Sequence, residues 1–178
     1  DDVLSSDSGV KVIDEERARG MLIHTWHAFF GRFGGLTETQ KRAMLPVRQG
    51  RSDLLSAPTA TGKTEALAAP LLDRALSDHA RDSGLRVMII SPTRALCNDL
   101  LRRLRGPVER CGATIDLKSG DSPSFDPDDP PTLLITTPES FDSLLCRHPK
   151  AQRTVDAIGL DELHLVDGSA RGHQLRCL

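Results

Sequence analysis

The chain has 178 residues, enough for one domain, or one domain with an appendage, and for a core that needs no disulfide staples. Apolar residues make up 38% and charged residues 27%, which excludes collagen-like, wholly disordered and membrane classes; no run approaches the ~20 apolar residues of a bilayer span. With 23 Lys+Arg against 25 Asp+Glu the net charge is −2, so a polyanion must be met in a local groove rather than drawn in by the global field.

Arg outnumbers Lys by 18 to 5, which points to a GC-rich source and, secondarily, to bidentate phosphate contacts. Cys97, Cys111, Cys146 and Cys177 lie far apart and form no C-x-x-C pair, so neither a disulfide framework nor a zinc site is implied. Reduced thiols in a cytoplasm are expected, bacterial in preference to a nuclear setting. The acidic start, Asp1-Asp2-Val3-Leu4-Ser5-Ser6-Asp7, resembles neither a secretory signal nor a transit peptide, and residues 1–12 read as a mobile lead-in.

From Asp14 to Phe30, Met21, Leu22, Trp26, Phe29 and Phe30 recur at helical spacing, which predicts one helix ending at Gly31–Gly35. Its aromatic residues are expected to pack on the core. His24 and His27, three apart with no further ligands nearby, read as structural histidines rather than a metal pair. A second helix is predicted from Thr37 or Glu38 to Arg48, with Thr37 as N-cap. Residues 53–57 read as a short strand, followed by a turn and a helix to about Ser77. Leu85–Ser91 is a second strand, followed by a helix from Ala95 to Leu104. Ala113–Leu117 is a third strand, and 119–131 an acidic, Pro-rich surface excursion. Thr132–Thr136 is a fourth, with a helix from Glu139 to Cys146, and Val155–Leu160 a fifth, ending in Asp161-Glu162. Near-continuous apolar strands alternating with helices predict an α/β fold, a mostly parallel sheet with helices on both faces, its ligands at the carboxyl ends of the strands.

Ala57-Pro58-Thr59-Ala60-Thr61-Gly62-Lys63-Thr64 matches G-x-x-x-x-G-K-[ST] with Ala in place of the first Gly. A tight loop into a helix N-terminus turns successive N–H groups inward as an anion nest, to which the helix adds about half a positive charge. Gly62 lets backbone close on phosphate, Lys63 reaches the β- and γ-phosphates, and the Thr64 hydroxyl suits magnesium. Asp161 and Glu162 stand where a strand ends. The first can hold the metal shared with Thr64, and the second can polarise the attacking water. His164 reads equally as a structural bridge or a chemical group.

These residues together resemble the first and second motifs of the superfamily-two DEAD/DEAH-box-like helicases. Thr37-Glu38-Thr39-Gln40 resembles the Q-motif segment, which implies that Gln40 reads the adenine edge. Ser91-Pro92-Thr93-Arg94-Ala95-Leu96 resembles motif Ia, Gly120-Asp121 the short glycine motif, and Thr136-Thr137-Pro138-Glu139-Ser140 motif Ib. Gly168-Ser169-Ala170-Arg171-Gly172-His173 resembles a stretch of the large helicase-related (Lhr) and superkiller-type branch. Glu38-Thr39 departs from the Pro-Ile pair common in the Q-motif.

The resemblance implies a RecA-like phosphate-loop NTPase domain over 33–178, preceded by a lead-in and packing helix over 1–32. It implies ATP and Mg2+, cradled by Pro58, Thr59, Ala60, Thr61, Gly62, Lys63 and Thr64. It also implies single-stranded DNA or RNA on Pro92, Thr93, Arg94, Gly120, Thr137, Pro138 and Glu139. The family's second RecA-like domain, with its arginine finger and half of the strand surface, is not among these residues. The chain by itself is therefore expected to bind nucleotide but to hydrolyse it very slowly.

Alternatives stand beside these expectations. Pro-Thr and Thr-Pro after strands serve equally as turn and N-cap chemistry. Arg102, Arg103, Arg105 and Arg110 suit a solvated helix face better than an extended phosphate track. The competing class of function is a nucleotide-gated interaction module that recruits a partner without moving a strand, docking through 121–131. A small-molecule phosphate-loop kinase is disfavoured by the ordered turns after the strands.

Overall fold

The computed structural model describes residues 12–78, 84–120, 125–149 and 151–165. The expected lead-in up to residue 11, the Gly168–His173 stretch and Asp121 lie outside these residues.

Four strands form one parallel sheet: β1 (Val87–Ile90), β2 (Ile115–Lys118), β3 (Leu133–Thr136) and β4 (Ala157–Leu160), in the order β2-β3-β1-β4. Register is continuous, with Val87 opposite Leu133 and Ala157, and Ile90 opposite Thr136 and Leu160. Alternation along each strand divides the core in two. Val87, Ile89, Leu133 and Ile135 face one cluster; Met88, Ile90 and Leu134 face the other. The first cluster is closed by α1 (Glu15–Met21), α2 (Trp26–Phe29), α3 (Glu38–Arg48), α4 (Lys63–Leu76) and α5 (Arg94–Arg110). The second is closed by Phe141 and Leu144 of α6 (Pro138–Arg147), with Phe125. Helices thus cover both faces, which is why β1 and β3 are buried along their whole length.

Three expectations need correction. The single helix over 14–30 is two, α1 and α2, because Asp73 takes the backbone in between. Asp73 Oδ2 accepts from His24 N (2.9 Å), Thr25 N (3.0 Å) and Thr25 Oγ1 (3.1 Å), and those amides are diverted from a helical ladder. Trp26, Phe29 and Phe30 do pack into the core. Residues 53–57 form no strand. Only Leu54 and Leu55 there are large and apolar, Leu54 is 77% exposed, and neither finds a ladder partner among the described residues. The strands at 113–117 and 155–160 begin two residues later than expected, and α5 runs on to Arg110.

Two features place the strand tips. Buried Arg86 pairs with Asp156 and with Asp78 (3.2 Å), and its carbonyl accepts from Asp156 N (2.8 Å), so β1 and β4 start level. Gly159 gives α4 room on β4, since a Cβ there would press on Leu67 Cδ2 at 2.9 Å. The N-terminus of α4 therefore lies beside the carboxyl end of β4.

Candidate functional site

The phosphate-loop segment is held from below by α3. Thr37 caps α3 through a reciprocal pair: Gln40 N donates to Thr37 Oγ1 (3.2 Å) and Thr37 N to Gln40 Oε1 (3.0 Å). The same two side chains reach the loop. Thr37 Oγ1 donates to the Thr61 carbonyl (2.8 Å) and Gln40 Nε2 to the Gly62 carbonyl (3.4 Å). Thr61 Oγ1 closes the turn onto the Pro58 carbonyl (2.8 Å). Gly62 is left-handed, at φ 77°, and a Cβ would collide with the Gln40 amide, so glycine is required on both counts. Ala60 is also left-handed, at φ 62°, a backbone form costly for a residue with a Cβ.

Lys63, Thr64, Asp161 and Glu162 line one cleft of about 190 Å³, together with Thr59, Ala60 and Gly62. Lys63 Nζ donates to the neutral Ala57 carbonyl (3.0 Å) rather than to a carboxylate, so its charge stays available. Asp161 N donates to the Ile90 carbonyl (2.9 Å), carrying the β4 ladder one residue past the strand. Burial lifts the Asp161 carboxyl above its ordinary range, and the neighbouring Glu162 charge adds to that; the Glu162 N–H, Lys63 and Arg103 oppose it. A half-buried carboxylate in that state gains from a cation. Glu162 sits at φ 48°, an uncommon backbone form that turns the chain at the strand tip. His164 Nδ1 lies 3.3 Å from Glu162 Oε2 and bridges within its own turn.

The remaining turns follow the other strands. Ser91–Arg94 follows β1, Ser119–Gly120 follows β2, and Thr137–Glu139 follows β3. Thr93 caps α5 by accepting from Leu96 N (3.3 Å), and Thr137 caps α6 by accepting from Ser140 N (3.4 Å). The cap chemistry read from the sequence is therefore present at both. Pro92, Thr137 and Pro138 are buried, whereas Arg94, Gly120 and Glu139 are exposed. Arg94 Nη2 lies against Gly120, 3.4 Å from where a Cβ would stand, which brings the first and second of these turns together.

Sequence reasoning missed Asp99 and Leu100 and assigned Arg103 to a solvated face; all three line the cleft from α5. The available signal was their spacing from Leu96, which puts all four on adjoining stripes of one helix. The arginine cluster divides: Arg102 pairs with Asp99 (2.6 Å), Arg103 enters the cleft, and Arg110 Nη2 donates to the Ala28 carbonyl (2.8 Å). Among the described residues no group of three or more His, Cys, Asp or Glu could hold a metal by itself, so a cation here needs the Thr64 hydroxyl or a ligand's own oxygens.

The DEAD/DEAH box helicase family profile matches residues 37–178. The chain belongs to that family. Among its helicase relatives, the Lhr helicase/probable uracil glycosylase of Mycolicibacterium smegmatis is 35% identical over 166 residues, covering 83% of this chain and 11% of that protein. The ATP-dependent helicase Lhr-Core of Methanothermobacter thermautotrophicus is 32% identical over 177 residues, covering 86% and 20%. The chain thus spans a tenth to a fifth of the length of these relatives. A DEAD-box helicase solved with ssRNA and UDP-BeF superposes with a TM-score of 0.74 at 20% identity, over 99% of this chain and 36% of that one. The helicase MrfA bound to DNA and AMPPNP superposes with a TM-score of 0.67 at 27% identity, over 87% and 22%. The sheet and its helices are those of a RecA-like helicase domain. Among the described residues no helix is long and apolar enough to cross a membrane.

Proposed function

We propose that this helicase domain is the ATP-binding half of an ATP-dependent helicase or translocase acting on DNA or RNA. The observation that carries the reading is the convergence of Lys63 and Thr64 with Asp161 and Glu162 on one cleft. The donors fit a magnesium-bound triphosphate: an unneutralised ammonium, a hydroxyl, and a carboxylate that burial leaves short of positive charge. Nucleotide-bound relatives support the same reading.

In this account Pro58 shapes the turn, the N–H groups of residues 59–64 at the loop and the α4 N-terminus hold phosphate oxygens, and Lys63 leaves the Ala57 carbonyl to meet the β- and γ-phosphates. Thr64 and Asp161 would hold Mg2+, which when bound neutralises charge developing on the transferred phosphoryl group. Glu162 orients the attacking water. Gln40 is 5% exposed and lies outside the cleft lining; it keeps one Nε2 hydrogen and one Oε1 lone pair beyond its bonds to Gly62 and Thr37, so an adenine contact requires its side chain to turn outward. Arg94, Gly120 and Glu139 expose the turns assigned to the strand, with Thr93 on the same edge and Pro92, Thr137 and Pro138 shaping it from beneath.

A single strand and a second RecA-like domain are the proposed partners, and 33–178 the proposed ATP-binding domain, the first of two, supported by a family match that begins at Thr37. A reducing cytoplasm is the proposed setting. The test is ATPase activity of the full-length protein, with its second RecA-like domain, with and without single-stranded DNA or RNA. Stimulation that is lost in Lys63→Ala and Glu162→Gln is expected; turnover indifferent to every nucleic acid would favour a recruiting module instead.

A further inference from the structure

α5 carries two stripes with different duties. Cys97, Leu100, Leu104 and Val108 are buried against the sheet, while Leu96, Asp99, Leu100 and Arg103 border the phosphate cleft. Lys63 and Arg103 are the two cationic side chains lining that cleft among the described residues, and Arg103 comes from neither the phosphate loop nor α4. Its Nη2 lies 3.5 Å from Glu65 Oε1, and its Nη1 3.8 Å from Asp99 Oδ2. Glu65 is the residue after Thr64, in the first turn of α4, and its side chain is only 16% exposed.

Ordinary helix chemistry accounts for part of this. An acid in a first turn complements the helix dipole, and Asp99 with Arg102 or Arg103 is a surface pair at i,i+3 or i,i+4 spacing. Neither explains a guanidinium that crosses from one helix to the other at the cleft wall. Arg102, its neighbour, is 81% exposed, against 45% for Arg103.

α5 faces two ligands, one at its N-terminus and one midway along its length. The helix opens at Thr93 and Arg94, the turn assigned to the strand, and Arg103 follows nine residues later, about 14 Å along a stiff helix. We propose that the Glu65–Arg103 ion pair couples the nucleotide cleft to the strand-facing turn of α5, with Arg103 as the positioning residue. Phosphate oxygens arriving beside Lys63 draw the Arg103 guanidinium and compete with Glu65 for it. That resets α5 against α4 and moves the Thr93–Arg94 turn. The inference rests on the reading of the cleft as a Mg-nucleotide site.

The test uses the full chain, the Mg2+ complex of a non-hydrolysable ATP analogue, and a labelled mixed-sequence single strand. Strand affinity is measured with and without the nucleotide, in the parent and in Glu65→Gln, Arg103→Gln and the exchange Glu65→Arg/Arg103→Glu. For a pair this exposed, nucleotide is expected to change strand affinity on the order of fivefold, at the low end of allosteric couplings. Each single variant should reduce that ratio to under about twofold, and the exchange should restore most of it. Amide exchange at residues 94–100, with nucleotide alone, should change in the parent and not in Arg103→Gln. If nucleotide binds but Arg103→Gln keeps the full ratio and the amide response, or if the parent shows neither, the coupling is wrong while the cleft reading stands. If nucleotide does not bind the parent at all, the cleft reading fails and the inference falls with it.

Discussion

The Gln40 amide spans the Thr37 backbone and the Gly62 carbonyl, so the cap of α3 and the mouth of α4 share one side chain. The expected adenine contact is thus attached to the residue that shapes the phosphate loop. Gln40→Ala removes both bonds and should destabilise the fold by about 1–2 kcal/mol, as lost caps and hydrogen bonds do. Urea denaturation checks the stability. Affinity for nucleoside triphosphate should fall as well, even for a triphosphate whose base Gln40 does not read. Unchanged affinity for such a nucleotide would separate Gln40 from the loop.

Gly62→Ala should weaken both folding and binding, by comparable amounts. A Cβ at φ 77° is strained and meets the Gln40 amide, which must swing off the loop. A cost of about 1–2 kcal/mol in stability is expected from the left-handed backbone. Mg-nucleotide affinity should fall by about tenfold or more, because the nest loses its shape. Titration calorimetry on the folded variant reads this.

Asp161 predicts a trade of stability for binding. Its folded pKa is raised, from 3.8, chiefly by burial. For a raised carboxyl the favourable contribution is full below the unfolded value and is lost as pH rises through the folded one. At neutral pH the ionised carboxylate therefore costs stability. Asp161→Asn should melt higher than the parent in nucleotide-free buffer at pH 7, with the difference shrinking as pH falls towards 3.8. The same variant should lose Mg2+-dependent nucleotide binding. A lower melting temperature at pH 7 would contradict the charge account.

Burial raises Cys97 and Cys111 to about 11, while Cys146 is exposed. At pH 8 a thiol of pKa about 11 is ionised to roughly one part in a thousand. Iodoacetamide under native conditions should label Cys146 and spare Cys97, whose Sγ also donates to the Thr136 carbonyl (3.4 Å). Peptide mass mapping decides it.

Asp73 shows where the sequence fell silent. Within Leu71-Leu72-Asp73-Arg74 it reads as one polar position of an amphipathic helix. In the fold its side chain is fully buried, receiving the backbone of His24 and Thr25 and pairing with Arg48 (3.3 Å). No local pattern reveals partners 25 or 49 residues away. The same limit hid Arg103, whose partner lies on another helix. What local chemistry dictates was legible: the Thr37 cap, the strands with both faces buried, and the placement of Asp161-Glu162 at the end of β4. The strand at 53–57 failed for the converse reason, since a strand exists only with a neighbour. Asp73→Ala should destabilise by about 2–3 kcal/mol in urea denaturation, since it leaves the His24 and Thr25 amides without their acceptor; Arg48, 26% exposed, keeps its bond to Ser77.

The central claim is that one Mg-nucleotide touches two segments remote in the chain. Backbone amide shifts measured by NMR, on adding Mg2+ with a non-hydrolysable ATP analogue, test it directly. The account predicts that Gly62, Lys63 and Thr64 move together with Asp161 and Glu162, with one affinity, and that Lys63→Ala abolishes both sets. Shifts confined to 58–64, or binding that persists undiminished in Lys63→Ala, would contradict it.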